Sequence, residues 1–214
     1  RFHTYDGNLS DEMTTQESAL LLIDLQNDFF SGGRLAVPNA EQIVTPICLL
    51  LSAAIKANLP IFASRDWHPK DSVQFTENGG PWLTHCVAGS HGAQFYESLR
   101  LPENSVVINK GVSSNSHGYS AFETSAEDGH CLADELSLRG TRSIYVAGLA
   151  TDYCVLHTVL DAMRLGFHAV LVTDASAAVE NTEGDSEKAL AQMRTAGARF
   201  ENSRQVLGQF ARIP

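Results

Sequence analysis

The chain is short of the features that mark secreted scaffolds, membrane proteins and nucleic-acid binders. Its 214 residues include four cysteines, Cys48, Cys86, Cys131 and Cys154, with no C-x-x-C pair and nothing near disulfide-scaffold density. A reduced, cytoplasmic protein is the simplest account. No apolar run reaches the roughly 18 residues of a membrane span, and the opening RFHTYDGNLSDEMTTQE has no signal-peptide core. Residues 1–17 read as a flexible lead or an incomplete start. Basic residues are outnumbered 15 to 25 by acidic ones, for a formal net charge of -10, so there is no basic stripe for nucleic acid. Neither G-x-G-x-x-G nor a Walker A pattern occurs, which removes the common phosphate cradles. Repeats and low-complexity tracts are also missing. With 43% hydrophobic residues, the rest, 18–214, suits one domain that buries a full core without disulfides or structural metal.

What is present alternates between two periods. Apolar, β-rich runs occupy Ala19–Gln26, Leu59–Asp66, Ser105–Gly111, Arg142–Ala150 and Phe167–Ser176, and Ala198–Ser203 adds a short sixth. Helical patterns fill Thr45–Asn58, Gly129–Gly140, Asp152–Leu165 and Ser186–Gly197, with Thr45 as the expected cap of the first and Pro46 in its first turn. Strands with near-continuous apolar centres, separated by helices, predict an α/β fold: a doubly wound parallel sheet with helices on both faces. One long piece, His68–Glu103, has neither period and is rich in glycine and proline. Loops of that length in a compact domain are usually functional or disordered, and Trp67 at its start with Trp82 and PWLTHC within it argue against disorder.

Polar residues cluster where strands end. Asp24 follows four apolar residues of the first strand; Arg65, Asp66 and His68 follow the second, Lys110 the third, Gly148–Cys154 the fourth and Asp174 the fifth. Open parallel sheets bind ligands beyond the carboxyl ends of their strands, so these groups are expected to converge. A free cysteine is usually a small buried hydrophobe. Cys154, however, starts a helix, where the dipole and free N–H groups favour thiolate and lower its pKa. The small residues Gly148 and Ala150 leave room for a substrate carbonyl, and the amides of Ala150 and Cys154 form a candidate oxyanion hole. Asp24, expected to be buried and raised in pKa, is the candidate base. Lys110 opposes that rise; taken alone it reads as a surface lysine. His157 lies about a turn into the same helix and is a poorer base. Asp66, His68 and His85 suit a divalent ion with open positions, although loop histidines are commonly just solvated. Cys86 packs or, less simply, supplies a thiolate ligand. Phe29 and Trp82 flank these groups and suit a pocket wall as well as a core.

In order along the chain, LLIDLQNDF, SRDWHP, GGPWLTHC, NKG followed by YSAF, and GLATDYCV resemble the nicotinamidases of the isochorismatase-like cysteine hydrolases. The resemblance runs from Leu21 to about Asp174. It implies a six-stranded parallel sheet, a catalytic triad of Asp24, Lys110 and Cys154, and a metal held by Asp66, His68 and His85 in a loop insert at 66–103, completed mainly by water. Zinc is the first choice of metal, with iron or manganese as alternatives. It further implies a cis peptide before Ala150 that turns its N–H into the oxyanion hole, and a pyridine ring held by Phe29 and Trp82 with Tyr119 nearby, its nitrogen on the metal. The chemistry implied is hydrolysis of nicotinamide, and of pyrazinamide, through a cysteine thioester in NAD salvage. The partner expected is this small molecule, with no nucleic acid, no membrane and self-association left open. Many relatives have a histidine near Ser72 or Gln74; this chain has none, and Glu77 or Ser72 would have to serve as any fourth ligand. The competing readings are a related hydrolase of carbamoyl or ureido compounds, and a non-catalytic binding module on the same fold.

Overall fold

In the computed structural model residues 17–123 and 131–213 are described. Most of the expected N-terminal lead, and the start of the helix expected from Gly129, fall outside them. Six strands, β1 (Ser18–Ile23), β2 (Ile61–Asp66), β3 (Val106–Lys110), β4 (Ser143–Leu149), β5 (His168–Ala177) and β6 (Arg199–Glu201), form one sheet in the order β3-β2-β1-β4-β5-β6. Every pair is parallel. The helices are α1 (Val44–Lys56), α2 (Leu132–Leu138), α3 (Leu156–Arg164), α4 (Asp185–Thr195) and α5 (Ser203–Phe210).

The strand alternation sorts the core into two layers. Leu20 and Leu22 of β1, Tyr145 and Ala147 of β4, and Val170 and Val172 of β5 point to one face, where Ile47 and Leu50 of α1 and Val206 and Phe210 of α5 cover them. Leu21, Ile144, Val146 and Leu171 point to the other, under Leu132, Val159 and Met193 of α2, α3 and α4. Both faces of the sheet are therefore dry, which is why β1 and β4 carry apolar residues at nearly every position. Among the described residues no helix is long and apolar enough to cross a membrane.

Three local expectations change. Thr45 is not a cap: a short 3-10 turn, Ala40–Ile43, runs straight into α1, so Thr45 is the second helical residue and no side chain caps the start. Helix α5 was not expected. Its signals are a capping box, in which Asn202 accepts from Gln205 N–H (2.9 Å) while the Gln205 side chain accepts from Asn202 N–H (2.8 Å), followed by Val206 and Phe210 at helical spacing. The helix expected from Asp152 begins at Leu156; Thr151–Val155 form a wider, π-type turn.

Successive strands are added outward one way from β1 to β3 and the other way from β4 to β6, so the strand order reverses at β1 and β4, neighbours in the middle of the sheet. Helices leave opposite faces there, and the gap at the strands' carboxyl ends is the natural place for a ligand.

Candidate active site

Asp24 and Cys154 flank that gap. The β1 backbone turns sharply at Asp24, which takes φ 50°. Gly148 makes the close approach of β4 possible: a Cβ there would lie 2.1 Å from the Ile23 carbonyl oxygen, and its φ is 124°. The space beside Gly148 is thus filled by the β1 backbone, and the expectation that it admits a substrate carbonyl is replaced by this packing role. Ala150, next to the cavity, retains the other half of that expectation. The Leu149–Ala150 peptide is cis, as the resemblance implies. In the π-type turn the Ala150 carbonyl accepts from Tyr153 N–H and Val155 N–H, both at 3.1 Å, and passes over the Cys154 N–H.

Lys110 is wholly buried and gathers the centre. Its Nζ lies 2.7 Å from Asp24 Oδ2 and 3.2 Å from Cys154 Sγ, donates to the Gly118 carbonyl at 2.9 Å, and pairs with Asp66 Oδ1. Ser64, a polar residue inside the apolar strand β2, donates to Asp24 Oδ1 at 2.7 Å. That break in the apolar pattern was the available signal for it. Burial raises the Asp24 carboxyl to about 6 against the pull of Lys110. Burial acts the same way on Asp66, but Lys110 and His68 more than reverse it and hold Asp66 well below the carboxylate range. Burial would lower the Lys110 ammonium; Asp24 and Asp66 instead hold it well above its ordinary value. The Cys154 thiol is pushed up, not down: burial outweighs Lys110, and Asp24 and Asp66 add to the rise. The expected lowering fails because partial charges at a turn do not offset removal from water.

Asp66 also faces the other way. Its Oδ2 is 3.6 Å from His68 Nε2 and 3.8 Å from His85 Nε2. The ligand atoms of the three residues lie within 4.8 Å of one another, and all three are buried. His68 Nδ1 donates to the Gly111 carbonyl (3.1 Å) and His85 Nδ1 to the Leu83 carbonyl (2.7 Å), so both rings are held with Nε2 toward Asp66. Gly111 of the NKG motif is required here, because a Cβ would sit 2.3 Å from His68 Cε1. One carboxylate and two imidazoles on an open cluster suit a divalent cation. Glu77 is exposed, bonded to Thr84 and Thr76, and outside the cluster, whereas the Ser72 hydroxyl is buried and accepts from Gln74 N–H at 3.2 Å. Cys86 is buried and packs, with burial pushing its thiol well up.

A cavity of about 460 Å³, counted to its open mouth, joins Cys154 and Asp24 to Asp66 and His85. Phe29, Trp82 and Tyr119 line it as expected; Gln74, Leu35 and Val179 line it unannounced, from segments whose sequences have no distinctive pattern, and Tyr153 joins them from the π-type turn, within GLATDYCV but with no role expected of it. Trp82 Nε1 donates to the Tyr119 hydroxyl at 3.0 Å, and its ring meets Tyr153 edge-on at 4.8 Å. Phe30 turns away and stacks on Tyr96. His157 is exposed and stacks on Tyr119 at 5.2 Å. Two strand-end residues do not join the site. Asp174 lies within β5 and its carboxylate accepts from the Ser203 N–H and hydroxyl, both at 2.6 Å, so it anchors α5. Arg65 lies over the Trp67 ring at 3.9 Å and donates to Asn109.

The chain is similar throughout to proteins of known kind. The model of the isochorismatase domain matches residues 18–205. A nicotinamidase of Acinetobacter baylyi is 34% identical over 206 residues, covering 88% of this chain and 94% of that protein. The solved pyrazinamidase of Pyrococcus horikoshii, in complex with zinc, is 36% identical with a TM-score of 0.80 and covers 87% of this chain and 99% of that one. PnC1 from L. infantum, solved in complex with nicotinate, is 34% identical with a TM-score of 0.79 over 89% of this chain and 95% of that one.

Proposed function

The chain belongs to the isochorismatase family, and from that premise we propose that it is a nicotinamidase, an amidohydrolase that converts nicotinamide to nicotinate and ammonia. The observation that carries this reading is the position of Lys110 Nζ between Asp24, Asp66 and Cys154 at the end of an aromatic cavity that also reaches His85. A carbamoyl hydrolase would share the lysine, carboxylate and thiol but has no need of an aromatic-walled cavity ending on a cation cluster.

In our reading Asp24 takes the proton of Cys154 as the sulfur adds to the carboxamide carbon. The thiol's raised pKa means that the proton moves during attack, and Lys110 steadies the charge as it passes between sulfur and carboxylate. The N–H groups of Ala150 and Cys154 receive the oxyanion. Asp24 then gives the proton to the departing nitrogen, the C–N bond breaks, and ammonia leaves a thioester. For the second half Asp24 takes a proton from water as its oxygen adds to the same carbon; the C–S bond breaks and the proton returns to sulfur. Phe29, Trp82 and Tyr119 hold a flat heteroaromatic ring, which admits pyrazinamide as well. Asp66, His68 and His85 would hold a divalent cation, zinc in our reading, which when bound supplies a positive anchor for a ring-nitrogen lone pair. The free cysteines suit a reducing cytoplasm, where the reaction would serve NAD salvage.

The test is ammonia release from nicotinamide, pyrazinamide and N-carbamoyl substrates, before and after chelation and zinc return. Cys154→Ala is expected to abolish turnover with the fold intact. Turnover of N-carbamoyl compounds alone, or unchanged turnover by Cys154→Ala, would overturn the reading.

A further inference from the structure

The motif from Asp24 to Phe29 gives its two ends to the cavity and leaves Gln26 and Asp28 without a chemical task. Gln26 is fully buried and does not line the cavity. Its setting follows from the end of β1. Once Asp24 turns away, the backbone contact between β1 and β2 stops at Asp24 N–H on the Ser64 carbonyl, 3.2 Å. The Gln26 side chain then stands in for the missing strand. Its Oε1 accepts the Asp66 N–H at 2.8 Å, and its Nε2 donates to the carbonyls of Asp66 (2.7 Å) and Ala93 (3.0 Å). One side chain thus holds both backbone polar groups of Asp66. This matters because Asp66 must give Oδ1 to Lys110 and Oδ2 to the imidazoles at once.

Asp28 acts on the other loop. Its Oδ2 accepts the Cys86 N–H at 2.7 Å, one residue after His85, where the chain turns with φ 44°. The carboxylate is almost fully buried and wedged against Gly92, where a Cβ would lie 2.1 Å from Asp28 Oδ2. His85 reaches the cluster from a segment with no strand or α-helix of its own, so this bond fixes its approach.

We infer that Gln26 and Asp28 are positioning residues for the Asp66–His68–His85 cluster: a single turn after β1 sets the spacing of ligands supplied by two separate segments. The inference rests on the reading that this cluster holds a divalent cation. Gln26→Met removes all three bonds at similar bulk, Gln26→Asn keeps the carboxamide one methylene short, and Asp28→Asn loses the charge on the Cys86 amide. Each variant and the wild-type chain would be stripped of metal and titrated with Co²⁺, followed by visible absorption, with thermal unfolding recorded in chelator and ammonia release from nicotinamide in parallel. Gln26→Met is expected to lower Co²⁺ affinity about 10–100-fold, the range for groups that orient metal ligands, and to alter the absorption bands; Gln26→Asn and Asp28→Asn should fall between. Binding within twofold of wild type with unchanged bands, in variants that unfold cooperatively, would overturn the inference. If Gln26→Met does not fold, Gln26→Asn and Asp28→Asn are judged by the same criterion. A wild-type chain that binds Co²⁺ yet releases no ammonia would overturn the proposed function and leave the positioning result readable.

Discussion

Asp24 follows β1 and Asp66 closes β2, on neighbouring strands, and both carboxylates reach the same ammonium, that of Lys110. Both are almost fully buried, at 1% and 4% exposure. Burial alone would raise both. Yet Asp24 rises to about 6 while Asp66 falls well below the ordinary range. The difference lies in their second neighbours. Beyond Lys110, Asp24 has the neutral Ser64 hydroxyl; Asp66 has two imidazoles facing its other oxygen. Desolvation is shared, so the local charge and hydrogen-bond count decide which carboxylate exchanges a proton and which stays anionic. A second comparison follows. Asp24, Asp66 and Cys154 also place ligand atoms within 4.8 Å of one another. Lys110 already supplies a positive charge there, so Asp66 serves a built-in cation on one side and a cluster suited to a metal on the other.

The sharpest way to separate the two carboxylates is to neutralise each in turn. Asp24→Asn is expected to lower kcat about 10²–10⁴-fold, the range of a lost acid–base group, while Co²⁺ binding stays near wild type. Asp66→Asn should lose both activity and at least tenfold in Co²⁺ affinity. Equal Co²⁺ binding by the two variants would break the comparison.

Removing the cation they share should come next. Lys110→Met leaves two buried carboxylates without their common partner, and denaturant unfolding should show a loss of about 3–5 kcal/mol. A variant as stable as wild type would mean that Lys110 does not hold the pair together.

The pH profile sharpens the same contrast without mutation. Asp24 must be ionised to take a proton, and its pKa is raised, so its acid form accumulates as pH falls through about 6. The kcat/KM for nicotinamide is expected to drop on the acid side with an apparent pKa near 6, tenfold per pH unit below it. Folding linkage runs in opposite senses. Stability from Asp24 is present below the ordinary carboxylate pKa and lost as pH rises through about 6; that from Asp66 is present above the ordinary value and lost as pH falls through its lowered one. An acid limb near 4 would assign the base to a group other than Asp24.

The smallest effect is expected at the cavity wall. Trp82→Ala removes one ring from the cavity and the donor to Tyr119, and should raise KM for nicotinamide up to about tenfold with kcat little changed, in keeping with about 0.5–1.5 kcal/mol for an aromatic contact. A fall in kcat with KM unchanged would place Trp82 in the chemistry instead of the binding.

How far the sequence could be read depends on whether the signal was local. Strand and helix periods are local, and five strands were found to within a few residues, with β6 lying inside its expected run. Helix α5 was missed because only eight residues carry it, although Asn202 and Gln205 announced its start. Thr45 misled because the preceding turn removes the need for a cap. Asp174 misled for a different reason: a strand-end aspartate looks the same in sequence whether it faces a ligand or, as here, the start of a helix.

The sequence by itself determined the doubly wound sheet, through apolar runs that only burial on two faces explains, and it placed Asp24, Asp66, His68, Lys110 and Cys154 together, because strand-end polar residues in such a sheet share one edge; His85, in the loop after β2, was joined to them by its side-chain chemistry and the family resemblance. Only the tertiary structure decided their proton affinities. Asp24 and Ser64, or Lys110 and Cys154, meet across tens of residues of chain, and a pKa is set by distances of a few ångströms and by lost solvent. The same holds for Gly148, which packs against Ile23, and for Gln26, which completes a strand that its own strand had left.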